Sequence, residues 1–183
     1  MKKIAVFASG SGSNFQAILD ARLDAEISLL VCDKPQAFCV ERAKKAEVPT
    51  FVFQAKEYAS KEAYELEILH ALKEHGVELI VLAGYMRLIG PTLLQAFEEK
   101  IVNIHPSLLP AFPGKDAIGQ ALEAKVKVSG VTVHYVDAGM DTGPIIAQRA
   151  IELSEDETKE SLQTKIHRIE HELYPKVIQG LLQ

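Results

Sequence analysis

The sequence predicts an α/β fold built on a mainly parallel, twisted sheet with helices on both faces and an antiparallel C-terminal extension. Two observations carry this prediction. Short apolar runs rich in branched residues alternate with helical patterns through the first two thirds of the chain, and the last third contains longer, partly alternating runs. The 183 residues show no repeat, low-complexity segment or linker, and this is the length of one ordinary domain. We therefore expect a single domain over residues 1–183.

The first two thirds of the chain supply the parallel part of the predicted sheet. Five short apolar runs, bounded by glycine, proline or charged residues, predict buried strands at residues 4–8, 27–32, 50–53, 79–83 and 101–104. Helical patterns between them predict helices at residues 15–21, 37–46, 61–75 and 92–98. Because strands and helices alternate, we expect right-handed crossovers between parallel strands, which is a Rossmann-like arrangement.

The last third of the chain has a different pattern. Residues 128–137 and 145–153 are longer and partly alternating runs, separated by Asp-Thr-Gly-Pro at residues 141–144, which favours antiparallel strands. Residues 155–182 predict one long terminal helix. Ligands of open α/β sheets bind at the carboxyl ends of the strands. We therefore expect the functional residues in three loops, at residues 9–14, 84–90 and 105–115.

Composition excludes several classes of protein. Hydrophobic residues make up 48% and charged residues 25%, which is typical of a globular chain. The formal net charge of −5 argues against a nucleic-acid partner, and the longest uncharged apolar run, residues 79–86, is too short to span a bilayer. Cys32 and Cys39 lie in apolar patterns and predict core packing rather than a disulfide framework. We expect a cytoplasmic protein with small-molecule partners.

The loop at residues 9–14 contains two glycines and opens the first predicted helix. Gly10 and Gly12 allow a tight turn that leaves backbone N–H groups free at the helix start, and such a site favours phosphate. The same glycines begin a dinucleotide-binding fingerprint, in which Asp33 would bind a ribose, although Phe15 stands at the third glycine position. A redox or non-catalytic nucleotide-binding domain is therefore an alternative, as is a plain strand-to-helix turn.

The loop after the fifth predicted strand carries the most informative residues. Asn103 and His105 are two residues apart at a strand end, so both side chains point to the same face. An amide donor beside an imidazole can stabilise an oxyanion while the imidazole moves a proton. The spacing alone leaves a catalytic and a structural role for His105 equally open.

Two segments resemble the signatures of the formyltransferases that use 10-formyltetrahydrofolate. They are Asn-Ile-His-Pro-Ser-Leu-Leu-Pro at residues 103–110 and Gly-Met-Asp-Thr-Gly-Pro-Ile-Ile at residues 139–146. The glycine loop and the chain length make the resemblance strongest to the phosphoribosylglycinamide formyltransferases, from residue 3 to about residue 178. This resemblance implies formyl transfer from the cosubstrate 10-formyltetrahydrofolate to the amine of 5′-phosphoribosylglycinamide, in de novo purine biosynthesis. A formyltransferase acting on tRNA and a formyltetrahydrofolate hydrolase are alternatives within the superfamily.

The resemblance also implies three sets of site residues, carried over position by position. The catalytic set is Asn103, His105 and Asp141. The ribonucleotide-binding set is Gly12, Ser13, Asn14 and Glu170. The folate-binding set is Lys61, Met86, Arg87, Leu88, Ile89 and Asn103. Two residues depart from the relatives: Asp33 replaces a common asparagine, and Lys125 a frequent glycine.

The implied chemistry is attack of the substrate amine on the formyl carbon. Asn103 and a protonated His105 would stabilise the tetrahedral intermediate, and Asp141 would assist proton transfer. This mechanism needs no metal. The sequence His-Arg-Ile-Glu-His at residues 167–171 matches the H-x-x-E-H zinc pattern, but it lacks an evident third ligand, so we expect a solvated helix face there. A monomer or a homodimer is expected.

Overall fold

Residues 1–183 are all described by the computed structural model, in which seven strands and six α-helices alternate. The strands are β1 (Lys2–Ala8), β2 (Ala25–Cys32), β3 (Thr50–Val52), β4 (Leu79–Leu82), β5 (Ile101–His105), β6 (Val128–Tyr135) and β7 (Ile145–Glu152). The helices are α1 (Ser13–Asp20), α2 (Phe38–Lys45), α3 (Lys61–Glu74), α4 (Pro91–Ala96), α5 (Ala117–Glu123) and α6 (Lys159–Leu181). A short 3₁₀-helix, Ala55–Glu57, precedes α3.

All seven strands form one sheet in the order β3-β2-β1-β4-β5-β6-β7. Strands β1 to β5 pair with one another in parallel, whereas β6 is antiparallel to both β5 and β7. The predicted fold class is therefore confirmed, including the antiparallel C-terminal extension.

The central strands are continuously apolar because helices cover both faces of the sheet. Alternate residues of β1 show this directly. Ile4 and Val6 pack in a cluster with α1, α2 and α6, whereas Ala5 and Phe7 pack with α3 and α4 on the other face. The two clusters make the sheet a rigid platform for the loops at its edge.

Two helices differ from the sequence prediction. The terminal helix α6 begins at Lys159 rather than residue 155, because Thr158 and Ser161 form a capping box that fixes its first turn. The short α5 was not predicted, since seven residues with an internal Gly119 give a weak helical signal. Asp116 caps α5 by accepting the N–H of Gly119. None of the helices combines the length and the apolar character that crossing a membrane requires.

The parallel strands bring the predicted functional loops to one edge of the sheet. The loop after β1 is tied to the loop after β4 by the N–H of Ser9, which donates to the carbonyl of Gly84 at 3.0 Å. The chain after β6 starts beside β5, where the N–H of Val136 donates to the carbonyl of Ile101 at 2.9 Å. It then returns to His105 through a turn that contains Asp141.

Candidate active site

A cavity of about 380 Å³ lies at the carboxyl ends of β4 and β5. Its lining includes residues 84–89, Asn103, His105, His134 and the turn at residues 139–141. The structure thus brings together all three predicted catalytic residues and five of the six predicted folate-binding residues, Asn103 being in both sets. Polar groups on one side and an apolar segment on the other are typical of a small-molecule site.

His105 ends β5 with oxygen acceptors near both ring nitrogens. Its Nε2 atom lies 2.9 Å from the carbonyl oxygen of Phe112, and its Nδ1 atom lies 3.5 Å from the Oδ2 atom of Asp141. A carbonyl oxygen can only accept, so Nε2 is the nitrogen that donates to Phe112. The ring is thereby oriented with its Nδ1 atom toward the carboxylate of Asp141.

Asp141 is held in place by its own backbone conformation and by a loop on the opposite side of the cavity. Its φ angle is 56°, in the left-handed region, and its Oδ2 atom accepts the N–H of Gly114 at 2.8 Å. Aspartate tolerates this region better than most residues. The contact links the turn after β6 with the loop before α5 at the position of His105.

His134 belongs to the site, although neither of the two signature segments contains it. The antiparallel register places His134 directly opposite Asn103, and their Nε2 and Nδ2 atoms are 3.3 Å apart. The Nδ1 atom of His134 lies 2.8 Å from the carbonyl oxygen of Tyr135 and so carries the hydrogen. The Nε2 atom then accepts from the Asn103 amide. Only the register of β5 against β6 would have identified this residue, and the sequence does not give that register.

The segment after β4 forms the apolar wall of the cavity. Met86, Arg87, Leu88 and Ile89 line it, and the side chain of Met86 is 66% exposed. Lys61, also predicted to bind folate, lies outside the lining, and its Nζ atom donates to the carbonyl of Leu88 at 2.8 Å. Lys61 therefore contacts the backbone of the segment.

Asp33 is buried behind this segment and uses both carboxylate oxygens. Its Oδ1 atom accepts from the hydroxyl of Ser9 at 2.5 Å, and its Oδ2 atom accepts from Nε of Arg87 at 2.8 Å. Only 1% of the Asp33 side chain is exposed. The carboxylate is thus engaged within the protein, whereas a ribose-binding acid of a dinucleotide site presents free oxygens to its ligand. This geometry weakens the dinucleotide alternative.

The glycine loop leads directly into α1. Gly12 precedes the helix with a φ angle of 77°, and no side chain caps the first turn. A Cβ atom at Gly12 would lie 2.7 Å from the Cβ atom of Cys39, so the loop packs tightly against α2. The uncapped N–H groups leave this helix start suited to an anion.

Glu170 reaches the glycine loop from α6. Its Oε1 atom accepts from Nδ2 of Asn14 at 3.4 Å, while Oδ1 of Asn14 is buried without a hydrogen-bond partner. Burial raises the pKa of Glu170 to about 7, against the opposing effect of the Asn14 hydrogen bond. Ser13 lies nearby but outside the main cavity, beside Arg42 and His171 in a separate depression. The predicted ribonucleotide residues thus form a second cluster.

The H-x-x-E-H motif lies on a packed rather than a solvated face of α6. The rings of His167 and His171 stack with centroids 6.1 Å apart, and burial lowers the pKa of both histidines. Glu170 between them is buried and directed to Asn14. No group of three or more His, Cys, Asp or Glu side chains in the protein is arranged to hold a metal ion.

Comparison with known proteins agrees with this geometry. The formyl transferase family model matches residues 2–178. The chain belongs to this family. It is 61% identical to the phosphoribosylglycinamide formyltransferase of Bacillus subtilis (strain 168), and the match covers 100% of this chain and 95% of the relative. Membership of the phosphoribosylglycinamide formyltransferases, expected from the two signatures, is confirmed, and the chain is a formyl-group transferase.

Solved structures of the family have the same fold. The crystal structure of glycinamide ribonucleotide transformylase 1 from Geobacillus kaustophilus is 62% identical, with full coverage of both chains and a TM-score of 0.98. A much longer protein also contains a segment similar to this chain. The trifunctional purine biosynthetic protein adenosine-3 of Drosophila melanogaster is 42% identical over 99% of this chain, which spans 14% of that protein.

Proposed function

We propose that this formyl-group transferase acts in purine biosynthesis, moving the formyl group of 10-formyltetrahydrofolate to the primary amine of 5′-phosphoribosylglycinamide. The observation that carries the proposal is the convergence of Asn103, His105 and Asp141 in one cavity beside the apolar 84–89 segment. An amide donor and an imidazole paired with a carboxylate suit a reaction that develops negative charge on an oxygen.

The ribonucleotide side of the proposal rests on the glycine loop. The uncapped start of α1 favours a compact anion, so Gly12, Ser13 and Asn14 would hold the phosphate. The buried Glu170 beside Asn14 supplies a polar group next to the phosphate position. Relatives whose names specify phosphoribosylglycinamide as substrate, such as the Bacillus subtilis protein, support the same assignment.

The folate side rests on the segment after β4. Met86 and Leu88 present exposed apolar side chains at the cavity, although water would normally disfavour such exposure. A flat pteridine ring would cover them, and backbone groups of the same segment would hydrogen-bond to its edge. The residues that match the family's pteridine-binding segment, Met86 to Ile89, are the ones that line this wall.

The formyl oxygen takes on negative charge when the amine attacks the formyl carbon. The amide nitrogen of Asn103 carries two hydrogens, of which one is directed to His134, so the other is left to donate to that oxygen. A protonated His105 adds a positive charge beside it. Collapse of the intermediate breaks the bond between the formyl carbon and N10 of the folate.

Proton transfer completes the reaction. The attacking amine loses a proton and N10 of the departing tetrahydrofolate gains one, so atoms and charge balance without an added oxidant or reductant. His105 and Asp141 are paired where this proton must move, and we assign them to its transfer. The partners that this function requires are small molecules. Location in the cytoplasm and a monomeric or homodimeric state remain predictions.

A single assay tests the acceptor. The enzyme is incubated with 10-formyltetrahydrofolate and one of four additions: the ribonucleotide, its dephosphorylated analogue, methionyl-tRNA or buffer. We expect formylation of the ribonucleotide, little reaction with the dephosphorylated analogue, and little loss of formyl to water. Equal rates with and without the phosphate would contradict the glycine-loop assignment. Activity on the tRNA alone, or rapid hydrolysis in buffer, would favour the alternatives within the superfamily.

Calorimetry separates the proposal from the nucleotide-binding alternative. We expect binding of a folate analogue and no binding of NAD. Tight NAD binding without folate binding would overturn the proposed function.

A further inference from the structure

We propose that Asp33 is a positioning residue for the folate side of the site, acting on residues 84–90 through Ser9 and Arg87 without touching a substrate. The inference rests on the proposed function, since it takes residues 86–89 to bind folate. Asp33 lies at the end of β2, behind the segment rather than in the cavity lining.

The first link is the hydroxyl of Ser9. It accepts the N–H of Met86 at 2.9 Å and donates its single hydrogen to Oδ1 of Asp33 at 2.5 Å. Because the hydrogen is committed to the carboxylate, the oxygen lone pairs are left for Met86. The Ser9 backbone N–H holds the carbonyl of Gly84 at 3.0 Å. Asp33 thus fixes the orientation of the group that sets the backbone at Met86.

The second link is the side chain of Arg87. Its Nε atom donates to Oδ2 of Asp33 at 2.8 Å, and its guanidinium carbon lies 5.9 Å from the ring centroid of Tyr64. The Arg87 side chain is 35% exposed, whereas that of Asp33 is 1% exposed. A carboxylate so deeply buried depends on a cation and hydrogen bonds to offset its lost hydration. The ion pair therefore holds Arg87, which lines the cavity, against Asp33 at the end of β2.

A neutral amide at position 33 cannot accept hydrogen bonds from both Ser9 and Arg87 through two separate oxygens. The carboxylate accepts from Ser9 and from Arg87 at the same time, whereas asparagine offers one oxygen and one donor group. An asparagine that accepts from Arg87 must turn its NH₂ toward Ser9 and displace the Ser9 hydrogen. The negative charge of Asp33 is thus coupled to Arg87.

The far end of the segment is held by other residues. Lys61 donates to the carbonyl of Leu88, and Glu65 accepts the N–H of Gly90, both at 2.8 Å. Loss of the Asp33 contacts should therefore loosen Met86 and Arg87 while the end of the segment stays attached. Such a change weakens folate binding and leaves the catalytic residues in place. The loop around Gly12 keeps its own contact with α2, in which the N–H of Cys39 donates to the carbonyl of Gly10 at 3.1 Å.

Steady-state kinetics of Asp33→Asn test the inference, with Asp24→Asn as the matched control on an exposed residue before β2. In Asp33→Asn we expect KM for 10-formyltetrahydrofolate to rise about tenfold, and kcat and KM for the ribonucleotide to change less than about twofold. Asp24→Asn should match the wild type. An unchanged folate KM in a folded Asp33→Asn protein, or an equal rise in both KM values, would overturn the proposal.

A double-mutant cycle tests whether Asp33 acts through Arg87. In an Arg87→Gln background, Asp33→Asn should raise KM for the folate by a smaller factor than in the wild type, because one of the two partners of Asp33 is already gone. Fully additive effects of the two substitutions on KM for the folate would contradict the action of Asp33 through Arg87.

Calorimetric titration with tetrahydrofolate compares the same variants without turnover. It tests Asp33 even if the ribonucleotide proves not to be the acceptor, so failure of the proposed function and failure of this inference are distinguishable.

Discussion

The Nδ1 atom of His105 lies 3.5 Å from the Oδ2 atom of Asp141. The two side chains are 7% and 12% exposed, so their attraction is screened less than that of a surface pair. The same oxygen of Asp141 accepts the N–H of Gly114, which fixes its direction. Asp141 is therefore positioned to orient the imidazole of His105.

Loss of either member of this pair should stop most turnover without unfolding the protein. We expect His105→Ala and Asp141→Asn each to lower kcat for formyl transfer by about 10²–10⁴-fold, the usual range for a general acid or base. The rate is measured with saturating substrates, and circular dichroism checks that each variant is folded. Folded variants with near-normal rates would remove both residues from the catalytic set.

Asn103 should contribute as an oxyanion donor, supported by His134. We expect Asn103→Ala to lower kcat by about 10²–10³-fold. His134→Leu takes away the acceptor that orients the Asn103 amide, and a smaller loss of about tenfold is expected. In the double variant the effects should be less than additive, since both act on one hydrogen bond. A His134→Leu protein with full kcat would show that the amide is oriented by other contacts.

Glu170 should make stability depend on pH. Its pKa of about 7 in the folded protein exceeds its ordinary value of 4.5, so between these values the native state holds a proton that the unfolded chain has released. The free energy of unfolding contributed by Glu170 therefore falls as pH rises from about 4.5 to about 7 and is constant above that. A glutamine at this position does not titrate. The free energy of unfolding of Glu170→Gln, minus that of the wild type, should therefore rise by about 1–3 kcal/mol between pH 4.5 and pH 7.

Urea unfolding at pH 4.5, 6 and 8 measures the Glu170 effect. Glu160→Gln, a change at an exposed position of the same helix, controls for the amide substitution itself. A stability difference between Glu170→Gln and wild type that does not vary with pH would contradict the burial argument.

A side chain at position 12 should destabilise the protein and disturb the glycine loop. Gly12→Ala places a Cβ atom 2.7 Å from Cys39 Cβ at a φ angle of 77°, so both steric overlap and backbone strain oppose it. We expect a loss of about 1–3 kcal/mol in stability and a raised KM for the ribonucleotide. Gly10→Ala is the matched control, because its Cβ atom would meet nothing within 4 Å. Equal stability of the two variants, measured by thermal unfolding, would refute the packing argument.

Activity should not depend on a metal ion. In the proposed mechanism Asn103 and His105 hold the charge that a metal would otherwise stabilise. We expect full activity after exhaustive chelation followed by gel filtration. Stoichiometric zinc in the purified protein that is lost on replacing His167 and His171 would contradict this expectation.

Much of the fold could be predicted because the central strands are buried on both faces. A strand such as β1 must then be continuously apolar, and a continuous run with turn residues at each end is a strong signal. The start of α6 was misplaced because the acidic residues before Thr158 resemble a first helical turn. The actual start depends on the capping box at Thr158 and Ser161.

The site was predicted less completely, for a geometric reason. Asn103 and His105 are near in sequence, and their alternation in a strand places them on one face. His134 reaches them only through the register of two antiparallel strands, and Asp33 meets Arg87 only through the order of strands in the sheet. Residue types and spacing contain neither of these long-range relationships.

The docking of α6 also sets the order in which the enzyme is completed during synthesis. Ribosomes deliver the N-terminal side of a chain first, so the glycine loop is made well before Glu170. Buried α6 side chains such as Ile166 and Tyr174 pack in the same cluster as β1 and α1, and the hydroxyl of Tyr174 donates to the carbonyl of Leu82 at 2.6 Å. A nascent chain that lacks α6 thus has the residues of the glycine loop but neither Glu170 nor the packing that supports the loop, and it gains the complete site only once α6 has been made and has docked.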